Sequence, residues 1–217
     1  MYRNRFNLRK VLAIAIFLTG FSIGDVLAQT SNTDPGVVIN GVKWATRNVD
    51  KPGTFAATPE STGMFYQWSR RVGWSAKDPM INSNGGTNWD ATVPEGVIWK
   101  KSNDPSPAGW RIPTLSEIGK LRDENKVNFE WTTINGISGR RFTDKTTGNS
   151  IFLPAAGCRY PENGKLNLSN TGSFGGYWTS TQISVGNASA FEFRGSNSMG
   201  ITVEPYTFGI NVRSVAE

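Results

Sequence analysis

The chain contains no histidine and one cysteine, Cys158, in 217 residues. Without imidazole there is no Ser-His-Asp type of triad and no His-based metal site. A single thiol can neither close an internal disulfide nor supply a zinc knuckle. Positive charge is not organised either. Apart from the pairs Arg70–Arg71, Lys100–Lys101 and Arg140–Arg141 the basic residues are scattered, so the stripe that nucleic acid requires is missing. Long apolar runs are missing everywhere except near the N terminus.

That one run reads as a secretory signal. Arg3, Arg5, Arg9 and Lys10 form a basic region, "VLAIAIFLTGF" the apolar region, and Val26 and Ala28 a small-residue cleavage site that makes Gln29 the first mature residue. The alternative is a membrane anchor, but about 11–14 apolar residues fall short of the roughly 20 that span a bilayer. No cysteine follows, so a lipid anchor is not expected. Residues 1–28 hold four of the 23 basic and one of the 17 acidic residues, which leaves 19 and 16 on a mature chain of net charge near +3. The remainder is the size of one domain with a real core. Residues 29–37, "QTSNTDPGV", read as a flexible leader and 38–217 as a single domain.

What is abundant is glycine and large aromatics: 24 Gly, eight Trp and twelve Phe. That mixture fits a loop-rich fold pinned by ring side chains, not a helical bundle. Asn40-Gly41, flanked by apolar residues, predicts a β-hairpin. "GMFYQW" predicts a short strand. Residues 69–104 lack periodicity, yet Trp74, Trp89 and Trp99 argue that they are ordered. Pro113 disfavours helix before it, and Thr114 with Glu117 three residues on forms a capping box, so a helix is expected over about 115–125. Beyond it, "FEWTTI", "GRRFTD", "SIFLPAAG", "GYWTSTQ", "ASAFEFRG", "GITVEP" and "FGINVRSV" predict strands, which makes the chain α+β or mostly β rather than βαβ.

Six segments in order, "GVKWATRNV", "MFYQWSRR", "NDPSPAGWRIPTLSEI", "NGISGRRFTDKTTGNSIFLPAAGCRY", "GGYWTST" and "FGINVRSVAE", resemble the Fibrobacter succinogenes major paralogous domain family. The family occurs in exported proteins of Bacteroidetes and Fibrobacteres. The "GWR-hydrophobic-PT" step is similar to one in sulfatase-modifying and formylglycine-generating domains. The resemblance implies an α+β, C-type-lectin-like fold: a twisted antiparallel sheet, one or two helices and long ordered loops. It also implies that Ser106 and Ser214 stand where relatives carry two cysteines, so the two serines are expected within bridging distance. Cys158 stands where relatives more often carry Tyr, and is expected to be buried.

For chemistry, carboxylates such as Asp78, Asp90 and Glu192 remain open to glycoside hydrolysis, but none sits in a motif. The paired thiols of a formylglycine-generating enzyme are absent, and neither calcium nor any cofactor is expected. Flat rings beside amides and carboxylates suit sugar binding, which nominates Trp74, Trp89, Asp90, Tyr160, Asn163 and Tyr177 as ligand-binding residues. Burial is the competing expectation for every tryptophan. Ser106, Ser214, Trp110, Thr114, Glu117 and Trp178 are expected to hold the scaffold. The expected function is an exported, non-enzymatic recognition or adhesion domain of the cell envelope, in the periplasm, at the cell surface or secreted, with a glycan or an envelope protein as partner. The alternatives are a structural or tip subunit of a surface assembly, and a degenerate sulfatase-modifying enzyme. Nucleic acid is not an expected partner, and no membrane span is expected after cleavage.

Overall fold

The computed structural model describes residues 33–96, 98–167, 170–196 and 198–217; the signal pattern at 1–28 lies outside these residues. Chain order is β1 (Val37–Ile39), β2 (Val42–Trp44), β3 (Phe65–Tyr66), β4 (Gly73–Trp74), a 3-10 turn at Lys101–Asn103, β5 (Trp110–Arg111) and α1 (Leu115–Leu121). There follow β6 (Val127–Ile134), β7 (Ile137–Asp144), β8 (Ser150–Pro154), β9 (Phe174–Ser184), β10 (Asn187–Arg194), β11 (Ser198–Pro205) and β12 (Val215–Ala216). Among the described residues no helix is long and apolar enough to cross a membrane.

The strands form four small sheets, ordered β1-β2-β12-β5, β3-β4, β6-β7-β8 and β11-β10-β9. This corrects the α+β, C-type-lectin-like expectation. The structure is mostly β, and the only α-helix among the described residues is the seven-residue α1. Thr114 and Glu117 make the expected capping box. The helix ends four residues before its expected limit because Asp123 turns the chain. Its carboxylate accepts the Asn125 N–H, and its carbonyl accepts those of Lys126 and Val127, which starts β6.

The hairpins follow local chemistry. Asn40 and Gly41 both adopt positive φ, the type I′ geometry that matches strand twist, and Ile39 pairs with Val42. Asn135 and Gly136 repeat this between β6 and β7, where Ile134 pairs with Ile137. Residues 34–37 of the expected leader are held in place. The Asp34 carboxylate accepts the N–H groups of Gly36 and Thr46 and pairs with Arg47 at 3.0 Å, and Val37 opens β1.

The sheets β6-β7-β8 and β9-β10-β11 face each other across one apolar core that includes Phe142, Leu153, Tyr177, Phe191 and Phe193. A second core lies on the other face of β9–β10, around Trp68, Trp99, Trp178, Tyr206 and Ile210. The stretch "FGINVRSV", expected as a strand, is mostly irregular. It threads between the cores by single bridges, Gly209 to Arg159, Ile210 to Tyr66 and Asn211 to Tyr177, before reaching β12. Loops this deep must satisfy their backbone without a ladder. Buried arginines do that work. Arg213 donates to Asn48 Oδ1 and to the carbonyls of Ala45 and Phe152, Arg159 to those of Ser75, Lys77 and Gly164, and Arg140 to those of Gly195 and Ser196.

Candidate functional site

The turn 103–114 is a scaffold. Asp104 is buried and its two carboxylate oxygens accept the N–H groups of Ser106 (2.8 Å) and Ile112 (3.1 Å), closing the turn on itself. Trp110 packs edge-on against Phe55 at 5.5 Å. Trp178 lies in the core and donates its indole N–H to the Tyr66 carbonyl. Glu117 accepts the Thr114 N–H and is gripped by both Arg111 terminal nitrogens at 2.9 and 2.6 Å. Burial alone would raise the Glu117 carboxyl, but the bonds from Arg111 and Thr114 outweigh it and hold it at about 2. The Ser106 and Ser214 hydroxyl oxygens are 2.7 Å apart and buried, so the two serines that the resemblance pairs do meet.

The expected sugar platform does not form as such. Trp74 is buried, and so is Tyr177, which faces the inter-sheet core and donates its hydroxyl to the Pro154 carbonyl. Both are corrected from ligand contacts to packing residues. A polar, Gly-rich neighbourhood made Trp74 look exposed, but the loop folds back so that the ring lies under Trp89, 4.8 Å away. Trp89 is half-buried. Its indole N–H bonds to the Pro161 carbonyl, and its ring fits against Gly164 and Gly209, where any Cβ would lie 2.4 or 2.8 Å from it. Asp90 turns away to pair with Arg70 at 3.0 Å and accepts the Thr92 N–H. Tyr160, 41% exposed, and Asn163 remain on the surface in the turn that Trp89 supports.

Two features lie outside the residues nominated for ligand binding. The first is apolar. Ile98, 66% exposed, bridges to Thr181 at the edge of β9. At the tip of the β9–β10 hairpin, Val185 is 85% exposed and Ile183 is also exposed, while Val93 reaches to within 3.8 Å of the Cβ position at Gly186. Val93, Ile98 and this hairpin thereby assemble an exposed apolar patch. Large patches of this kind on a folded domain mark contact surfaces.

The second is acidic. On the face of β10–β11 that carries Ala190 and Thr202, the carboxyls of Glu192 and Glu204 meet and both lie beside the Thr202 hydroxyl. Burial, then repulsion from Glu204, pushes Glu192 up to about 8, and burial raises Glu204 too, so both carboxyls lean towards the protonated form. Arg194 gives weak compensation, 4.0 Å from Glu192 and stacked over Phe174. Nearby Cys158 is buried, with burial pushing its thiol to about 11, so it is not a reactive thiolate. Among the described residues no group of three or more Cys, Asp or Glu side chains could hold a metal ion.

Residues 124–215, less than half of the chain, match the model of a family described as "Domain of unknown function (DUF8237)". The match spans both three-stranded sheets and begins after α1. No curated protein and no solved structure matches the chain.

Proposed function

We propose that the chain is an exported, non-catalytic domain of the bacterial cell envelope that binds another protein through the patch around Val93, Ile98, Ile183 and Val185, as a subunit of a surface assembly or its adhesive end. The patch carries this reading, because four apolar side chains brought together in water by two separate segments are the chemistry of a protein contact. The signal-like N terminus and the resemblance to an exported domain family support the location. Photo-crosslinkers placed at Ile98 and Val185 in the native host should trap one defined protein. A crosslinker at Thr147, on the turn between β7 and β8, should not. Adducts of equal variety at all three positions would overturn the proposal.

Glycan binding stays as a second reading because Tyr160 and Asn163 are exposed in one turn held by Trp89. A glycan array with Tyr160→Ala as control separates the two: a hit lost in the variant favours sugar recognition.

A further inference from the structure

The two facing sheets stack strand on strand. Tyr177 of β9 reaches Pro154 of β8, Phe142 of β7 meets Phe191 of β10, and Trp131 of β6 meets Phe193 of β10. So β8 and β9 close one side of the sandwich, while β6 and β11 lie together on the other. The first side is sealed by the bridge between Gly157 and Gly175. The second is open. Both β6 and β11 are terminal in their sheets, and among the described residues no other backbone group bonds to residues 128–134 or 199–204. Between these edges Phe129, Trp131, Met199 and Ile201 pack on the inter-sheet core yet stay only half-buried.

Bare edges of this length are normally blunted by lysines, a bulge or an internal proline. β11 has none of these. All eight of its residues pair with β10 in unbroken register, it carries no Lys or Arg, and its one proline is its last residue. Glu204 adds a charge at the same edge, beside the crowded carboxyl of Glu192, where a cation would relieve the repulsion.

We propose that β11 accepts an extended strand from a partner protein. That strand would be apolar at alternate positions to fill the seam between β6 and β11, and would carry a Lys or Arg in register beside Glu204. Main-chain bonds supply affinity in this mode, and the alternate side chains supply selectivity. The edge is separate from the loop patch, so variants at Ile98 or Val185 leave it intact and the two proposals fail independently.

Ten-residue peptides alternating Val and Thr, with one central Lys or one central Glu, serve as probes on the purified full chain. Hydrogen exchange reads the β11 amides and fluorescence anisotropy reads affinity. The Lys peptide should slow exchange along 199–204 and bind about ten-fold tighter than the Glu peptide. N-methylation of alternate peptide amides should abolish binding in one of the two registers, and Glu204→Gln should erase the Lys preference. Four results would overturn the proposal: no slowing at the β11 amides that point away from β10, binding indifferent to N-methylation, a Lys preference that survives Glu204→Gln, or those outward amides already protected in the free chain. In that last case, protection that fades on dilution identifies a second copy as the occupant, and protection that persists identifies a segment of the same chain.

Discussion

Ser106 Oγ and Ser214 Oγ share a buried hydrogen bond of 2.7 Å across 108 residues of sequence. One serine lies in the Pro-rich turn and the other beside β12, so this contact ties the C-terminal segment to the start of the helical region. Replacing both with cysteine should give a disulfide that stabilises the fold by about 2–4 kcal/mol. The check is a thermal melt with and without reductant, together with a thiol count that stays at one when the oxidised protein is denatured without reductant. A persistent count of three would show that the side chains cannot bridge. Ser214→Ala alone should cost about 1 kcal/mol, because it leaves the partner hydroxyl buried without a bond.

Thr114→Ala removes the acceptor for the Glu117 N–H and should destabilise the chain by about 1 kcal/mol in urea unfolding. Glu117→Gln tests the charge. The folded carboxyl sits at about 2, below its ordinary value of 4.5, so its contribution is full above 4.5 and is lost as pH falls towards 2. The wild type should therefore lose stability over that window faster than Glu117→Gln does.

Glu192 acts in the opposite sense. Its folded value of about 8 lies above the ordinary 4.5, so between those limits the folded chain keeps a proton that the unfolded chain has released. Stability should fall as pH rises from 4.5 to 8 and level off beyond. Glu192→Gln should flatten that slope and raise the melting temperature at pH 8 above that of the wild type. Urea midpoints at pH 5 and pH 8 decide the matter, and a variant less stable than wild type at pH 8 would refute it.

Gly164→Ala should cost about 2–3 kcal/mol, since the residue holds φ +68° and a Cβ there would lie 2.4 Å from the Trp89 ring. Displacing that ring frees the 69–104 loop. Red-shifted tryptophan emission and faster proteolysis between residues 75 and 96 are the expected readouts.

The local elements were legible where the chemistry is local. Asn40-Gly41 announced its hairpin, Thr114 and Glu117 announced the helix start, and the strand-like runs from Phe129 onward announced β6 to β11. Asn135-Gly136 carries the same signal as Asn40-Gly41 and is equally readable. The architecture was not legible, because nothing in the sequence of one hairpin records which other hairpin it faces. The same limit governs the site. Trp89 is fixed by glycines at 164 and 209, and Glu192 is perturbed by Glu204 from another strand, so each depends on a partner that sequence spacing does not reveal. The 208–214 segment was misread as strand because its apolar residues alternate, while its backbone is satisfied by isolated bridges and by single backbone bonds to several other segments.

Strand β12 lies between β2 and β5, with Val215 paired to Trp44 on one side and to Arg111 on the other. Its consequence is one of timing. A growing chain can form the β1–β2 hairpin early, but it cannot join that hairpin to β5 until residue 216 has left the ribosome, and closing so long a loop is slow. The N-terminal part therefore stays unlocked until β12 emerges. For a protein proposed to be threaded through a narrow export channel, that delay keeps the chain pliable until it reaches the far side, where arrival of β12 fastens β2.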